Sequence, residues 1–168
     1  MIKASFSRYN KELYDLFLAG ANTMGHNDKE VFIELCTIID DDGEKEHNMV
    51  RQRGKLYEKN QMVVLTFEEQ TEEKAWIKNF ITIQPDKVTI KRTGNVMMNQ
   101  QFHMQRATES VFKHPYGTMH METFTSSITH QPLRTDQNGQ LKIAYSVKLN
   151  GKEKRDHYLT LTYNEEGA

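Results

Sequence analysis

Apolar and polar residues alternate with a period of two along most of the chain beyond residue 30. In the first such segment Val31, Ile33 and Leu35 share one face, whereas Glu34 and Cys36 lie on the other. This pattern indicates a β-strand, because successive side chains of a strand point to opposite faces. Further strands are predicted at 45–58, 61–70, 75–83, 87–92, 96–104, 107–114, 117–128, 141–149 and 155–163. Within the second of these, Gly54 predicts a bulge or bend.

Short turn signals separate these segments. Asn138-Gly139 and Asn150-Gly151 are the strongest, since Asn-Gly between alternating segments is typical of a two-residue hairpin. The last two strands are therefore expected to pair. Many strands joined by short turns indicate an antiparallel meander, and about eight or more such strands tend to close into a barrel that has no exposed edge. The sequence thus predicts an all-β fold, with a barrel favoured over a sandwich.

The first residues of the chain follow a different pattern. Phe6, Leu13 and Phe17 recur at helical spacing, and Gly20 is a plausible end of that helix. We therefore expect two parts, an N-terminal extension at 1–23 and a barrel domain at 24–168. The extension is either a real helix or an artefact of the gene model, with Met24 as the true start.

Composition narrows the classes of partner. The chain of 168 residues has 22 basic and 23 acidic side chains and a formal net charge of -1, so no global field draws it to DNA or to an anionic membrane. No apolar run reaches the roughly 20 residues that a membrane helix needs. Cys36 is the only cysteine, which excludes an internal disulfide and suits a reducing compartment. We expect a soluble, cytoplasmic protein, and the oligomeric state stays open.

Sites for metals or catalysis receive little support. Five of the seven histidines fall in the β-rich part, at positions 103, 114, 120, 130 and 157, and His120 shares a strand face with Glu122. Met119 and Met121 form the more apolar opposite face, so the His120 side chain is expected to point to solvent. The chain has no Gly-x-Ser-x-Gly elbow and no recognised phosphate loop. We therefore assign no catalytic residue, metal or cofactor, and a non-enzymatic protein is favoured.

Arg92 is the most unusual polar residue of the pattern. It is in phase with Val88 and Ile90, so its guanidinium should point inside if the apolar face does. An unpaired charge there is costly, and its partner could be a carboxylate, backbone carbonyls, water or an anionic ligand. The same alternation places further polar residues inside. The predicted interior ligand-binding set is Arg92, Asn79, Tyr145 and His157.

Two long stretches carry a family resemblance. They are "VTIKRTGNVMMNQQFHMQRATESVFKHPYGTMHMETFTSSI" and "GQLKIAYSVKLNGKEKRDHYLTLTY". Together with the strands before them they resemble the YwiB-like family of uncharacterised bacterial proteins, a domain of unknown function. The matching positions are Arg92 with Gly94, Phe102, and Pro115-Tyr116-Gly117 leading to Thr123 and Thr125. The resemblance implies a lipocalin-like (calycin) barrel and no particular activity. The Gly-x-Trp of lipocalins is missing, since Trp76 follows Lys74-Ala75.

Two functions follow from this interpretation. The first is a calycin-like binding protein that holds a small amphipathic or hydrophobic ligand in the barrel, with Arg92 meeting its acidic end. The second is a ligand-free barrel that acts as a protein- or RNA-interaction module. The methionines around the middle strands fit either function, because methionine fills apolar cores and also lines adaptable pockets.

Overall fold

The computed structural model describes residues 28–165, and this part of the chain consists of strands and connecting turns. Ten strands follow one another without an intervening helix in that range. They are β1 (Asp28–Asp41), β2 (Glu44–Lys59), β3 (Met62–Gln70), β4 (Trp76–Ile83), β5 (Lys87–Gly94), β6 (Met98–His103), β7 (Ala107–His114), β8 (Gly117–Gln131), β9 (Gly139–Leu149) and β10 (Arg155–Glu165). The predicted all-β fold is confirmed.

The strands form one antiparallel sheet in which chain neighbours are also spatial neighbours. Its order is β6-β5-β4-β3-β2-β1-β10-β9-β8-β7. β1 and β10 join the two halves through a ladder that runs from Val31 opposite Glu165 to Asp40 opposite Asp156. Between β6 and β7 the ladder is reduced to the bridge between Met97 and Lys113, and a further bridge joins Met104 to Thr125 of β8. The result is a nearly closed ten-stranded barrel.

The apolar faces of the strands meet inside this barrel. Alternate residues of β3, β4 and β5 are buried, as the fully enclosed Leu65, Ile81 and Val88 illustrate. Phe102 of β6 meets the ring of Tyr145 of β9 edge to face, with 4.8 Å between ring centroids. Burying each large apolar side chain contributes roughly 1.5–3 kcal/mol, so this packed interior is the main source of stability.

Of the bulge or bend predicted at Gly54, the bulge was wrong and the bend stays a prediction. The pairing of β1 with β2 runs without a register shift from Asp28 opposite Tyr57 to Asp41 opposite Glu44. A Cβ atom at Gly54 would lie 2.3 Å from the carbonyl oxygen of Thr66 and 2.6 Å from Ile33 Cδ1. The glycine is therefore required by a close approach between β2 and β3. The register shift of the sheet lies instead in β8, between Thr125 and Ser127.

Both predicted Asn-Gly hairpins pair their strands, but neither connection is a two-residue turn. Asn150-Gly151 begins the connection between β9 and β10, which spans residues 150–154. Between β8 and β9 a loop of residues 132–138 replaces the two-residue turn, and Gly139 belongs to β9 opposite Tyr163. A Cβ atom at Gly139 would lie 2.1 Å from Cζ of the Tyr163 ring, so this glycine makes room for a fully buried tyrosine.

β2 extends beyond the strand that follows it. It pairs with β1 from Glu44 to Tyr57 but with β3 only from Gly54 to Lys59. Among residues 28–165, no strand pairs with the other side of β2 between Glu44 and Arg53. The β1–β2 hairpin therefore extends past the end of the β3 ladder and leaves one edge of β2 open, while β1 stays paired with β10 as far as Asp40.

The predicted N-terminal helix lies outside the described residues, and so does the whole proposed extension at 1–23. Within the part that is described, the structure has no helix long and apolar enough to cross a membrane. Cys36 lies within β1 and is partly buried.

Candidate functional site

The barrel has two ends that carry different connections. The loop end holds the turns after β2, β4 and β6 and the longer loop after β8, whereas the hairpin end holds the turns after β1, β3, β5, β7 and β9. Because alternate turns of an antiparallel meander lie at the same end, residues far apart in the sequence meet there. The candidate site residues are distributed between these two ends.

Arg92 lies near the hairpin end and has a partner within the chain. Its Nη2 atom donates a hydrogen bond to Oε1 of Glu69 on β3, and the pair forms a salt bridge. The two side chains are only 28% and 17% exposed. Of the partners that the sequence left open, the structure supplies a carboxylate, which neutralises the guanidinium inside the barrel wall.

Asn79 lies directly opposite Arg92 in the ladder between β4 and β5. Its side chain is buried, and within residues 28–165 its Nδ2 atom has no hydrogen-bond partner. A buried donor without a partner is unusual in a folded protein and marks a position where a further acceptor would be accommodated.

Tyr145 and His157 form a second pair on the opposite wall. They face each other across β9 and β10, and their rings stack with centroids 5.1 Å apart. Burial raises the pKa of the Tyr145 phenol. Burial also lowers the pKa of His157, with Arg155 acting in the same direction and Asp156 opposing it. The structure thus brings the four predicted interior residues together as two separate pairs, and their role in ligand binding stays a prediction.

The seam of the barrel holds polar residues that sequence reasoning missed. Gln100 of β6 donates a hydrogen bond from Nε2 to Oγ1 of Thr123 at 2.9 Å. Thr125 is fully buried, and its Oγ1 has no hydrogen-bond partner in the described part of the chain. Gln100 alternates with Met98 and Phe102, so its inward direction was available from the pattern. The position of the seam could not be predicted from the pattern, because it depends on how the barrel closes.

A pocket of about 530 Å³ opens at the loop end. The turn after β6 forms one wall, and the part of β8 beyond its register shift forms another. Gln105 fixes this arrangement, since its backbone N–H donates to the carbonyl oxygen of Thr125 at 2.7 Å. The lining residues are Gln61, Ile83, Gln84, Pro85, Asp86, His103, Met104, Arg106, Ile128 and His130. Arg106 was missed entirely by sequence reasoning, and the two histidines had been considered only as metal ligands.

Both histidines of this pocket, His103 and His130, have a lowered pKa. Burial lowers the pKa of His130, and Nε2 of that ring lies 2.8 Å from the hydroxyl oxygen of Tyr163. Burial likewise raises the pKa of Tyr163 to about 12. The pKa of His103 is lowered by burial and by the nearby cations Lys87 and Arg106. Near neutral pH the pocket therefore contains two uncharged imidazoles and the guanidinium of Arg106.

The described residues contain no group of three or more histidine, cysteine, aspartate or glutamate side chains that could hold a metal ion. His120 is about half exposed, and its Nε2 atom lies 3.8 Å from a carboxylate oxygen of Glu109. The methionines divide between core and surface. Met121 is buried, whereas Met97 and Met104 are more than half exposed.

Comparison with known proteins is consistent with the observed barrel. Residues 33–161 match a family described as a domain of unknown function, DUF1934. The chain is 28% identical over 133 residues to the uncharacterised β-barrel protein YwiB of Bacillus subtilis (strain 168), covering 79% of this chain and 92% of that protein. The crystal structure of the B. subtilis ywiB protein superposes with a TM-score of 0.72 at 27% identity, covering 82% of this chain and 92% of that one. Because the family match spans most of its length, the chain belongs to the DUF1934 family of β-barrel proteins.

Proposed function

We propose that the protein binds a small amphipathic molecule and holds the anionic group of that molecule in the loop-end pocket. The observation that carries this proposal is the convergence of Arg106, His103 and His130 on a pocket of about 530 Å³ that also has an apolar side. Small-molecule sites typically combine a volume of roughly 300–1,000 Å³ with a few convergent polar groups.

The charged and the apolar lining residues are suited to different parts of a ligand. Arg106 brings a guanidinium cation with several N–H donors to the pocket, and these donors suit an anionic group. Ile83 and Ile128 supply apolar surface for a hydrocarbon part. Asp86 also lines the pocket, and its negative charge disfavours ligands that carry several negative charges. A singly charged amphiphile fits this combination best.

The acidic group of the ligand is expected to bind Arg106 and not Arg92, because Glu69 already neutralises the guanidinium of Arg92. A calycin-like character, a bacterial origin and a cytoplasmic location are parts of the same proposal. The relative YwiB, a B. subtilis protein, supports the bacterial origin.

The test uses probes that share a ten-carbon chain and differ in the head group, namely decanesulfonate, decanol and decylamine. We expect decanesulfonate to bind most tightly in titration calorimetry, and native mass spectrometry should show one bound molecule. Arg106→Gln should weaken binding of the sulfonate by about tenfold, since a charge-assisted hydrogen bond contributes roughly 1.5–3 kcal/mol. Arg155→Gln is the matched control, because Arg155 is exposed and lies at the hairpin end, away from this pocket.

Binding should also depend on pH in a definite direction. The lowered pKa values of His103 and His130 keep both rings neutral near pH 7, so acidification adds positive charge to the pocket. We expect affinity for decanesulfonate, which stays anionic throughout, to rise between about pH 7.5 and about pH 5.5. Equal binding of decylamine and decanesulfonate, or an unchanged affinity in Arg106→Gln, would rule the proposal out.

A further inference from the structure

Part of β2 has an open edge although this strand lies in the middle of the sheet. β2 continues from Glu44 to Gln52 with no strand on its far side among the residues described, whereas a barrel tends to satisfy its strand edges. Backbone N–H and C=O groups along such an edge are available for pairing with a further strand. This edge lies outside the loop-end pocket and shares none of its lining residues.

A cleft of about 460 Å³ opens where β3 separates from β2. Gly54 and Phe67 form the point of separation, and Trp76 of β4 flanks it with 56% of its surface exposed. Asn79, whose buried Nδ2 atom has no partner within residues 28–165, also lines this cleft. The open edge therefore leads into a cleft that combines an exposed aromatic ring with an unsatisfied buried donor.

Charge along the edge identifies the kind of strand that fits it. The cations Lys45 and Arg51 share one face of β2, which also carries His47 and Met49. The acidic Glu44 and Glu46 lie on the other face. β1 shows how a neighbouring strand matches these cations. Asp40 lies opposite Lys45 in the ladder, and Glu34 lies opposite Arg51, where the carboxylate accepts a 3.0 Å hydrogen bond from Nε of the arginine. An acidic strand on the other side would flank the same cations in the same way.

The same alternation argues against a second copy of this chain. A two-fold axis that pairs β2 with itself in antiparallel fashion is perpendicular to the sheet and preserves its faces. In the registers centred on Asn48 or Met49, Lys45 would oppose Arg51 or Arg53 of the other copy. Like charges directly opposite each other destabilise a sheet.

We propose that β2 binds an extended acidic segment of a partner protein, which adds to the barrel as a further strand and places an apolar side chain in the cleft beside Trp76. Main-chain hydrogen bonds along the edge provide affinity, and the cations of β2 and the cleft provide specificity. This interaction is independent of the proposed small-molecule pocket.

Trp76 makes the proposal directly testable, because it is the only tryptophan in the chain. The probe is a blocked peptide of about ten residues, a usual strand length, in which glutamate and valine alternate. We expect the tryptophan emission of the full chain to shift to shorter wavelength on binding. The affinity should fall as salt is raised. The matched peptide, in which lysine replaces each glutamate, should produce neither effect.

Two sets of variants locate the binding site. Lys45→Glu and His47→Glu should each weaken binding of the acidic peptide about threefold to tenfold. Lys152→Glu, in the exposed turn after β9, should leave the affinity for the acidic peptide unchanged.

Because backbone N–H groups alternate in direction along a strand, one of Asn48→Pro and Met49→Pro removes a donor from the open edge and leaves the ladder with β1 intact. Of these two proline variants, the one whose melting temperature equals that of the unchanged protein should bind the peptide more weakly.

Amide hydrogen exchange decides between the possible outcomes. Protection that the acidic peptide induces in β2 between residues 44 and 53 supports strand addition. Peptide binding without such protection, or equal binding of the lysine peptide, would overturn the proposal. It would also be overturned if these amides became protected only as protein concentration rises, with dimers in sedimentation, since a second copy would then occupy the edge.

Discussion

Arg92 shows how a single charge is tolerated in the wall of this barrel. A buried guanidinium without a partner would lose its hydration, and the interior offers no compensation. Glu69 provides that compensation from β3, two strands away, and both side chains keep some contact with solvent. The pair is therefore intermediate between an exposed salt bridge, which contributes little, and a fully buried one, whose disruption is costly.

We expect Arg92→Met to lower the free energy of unfolding by about 1–3 kcal/mol, because it leaves the carboxylate of Glu69 partly buried and unpaired. Urea denaturation measures this change. The double variant Arg92→Met with Glu69→Leu is the control, and it should recover part of the loss because no charge remains. A stable Arg92→Met single variant would instead indicate that Arg92 is held for a ligand.

At the scale of strands, the alternation of apolar and polar residues was sufficient to locate the strands. It was insufficient to explain why glycine occupies two positions within them. Alternation located all ten strands, because inward and outward faces of a barrel wall differ in polarity along each strand. Gly54 and Gly139 were misinterpreted as a bulge and a hairpin turn. Both are dictated by atoms of other strands, Thr66 and the Tyr163 ring, which no local pattern reveals.

Gly54→Ala should lower the free energy of unfolding by about 1–3 kcal/mol, the usual cost of overpacking. The added methyl group would meet the backbone oxygen of Thr66 at 2.3 Å, and a backbone atom in a ladder cannot move away as a flexible side chain would. Thermal melts measure this change. The control is Gln52→Ala, on the same face of β2 but beyond the end of the β3 ladder, and its melting temperature should be close to that of the unchanged protein. Equal melting temperatures for both variants would show that β2 and β3 separate more easily than their ladder indicates.

The candidate pocket belongs to the scale of the whole molecule, which explains why the sequence did not predict it. Its walls come from the turns after β2, β4 and β6 and from the last part of β8, so it exists only once the barrel has closed. Inward-facing polar residues such as Arg92 and Tyr145 were predictable one strand at a time. Their separation into two pairs depends on the sheet order, and so does the open edge of β2.

Whether the barrel folds without its N-terminal extension is a prediction for the whole molecule. Residues 28–165 already hold a core cluster that extends from Val31 to Tyr163, and β1 completes the described sheet by pairing with both β2 and β10. Deleting residues 1–23 should therefore leave a single cooperative unfolding transition in urea. Deleting residues 1–35 is the matched control, and it should abolish that transition because Val31, Ile33 and half of the β1 ladders are lost. If the shorter deletion alone produced a protein that aggregates or loses its near-ultraviolet circular dichroism, Phe6, Leu13 and Phe17 would have to be counted as part of the core.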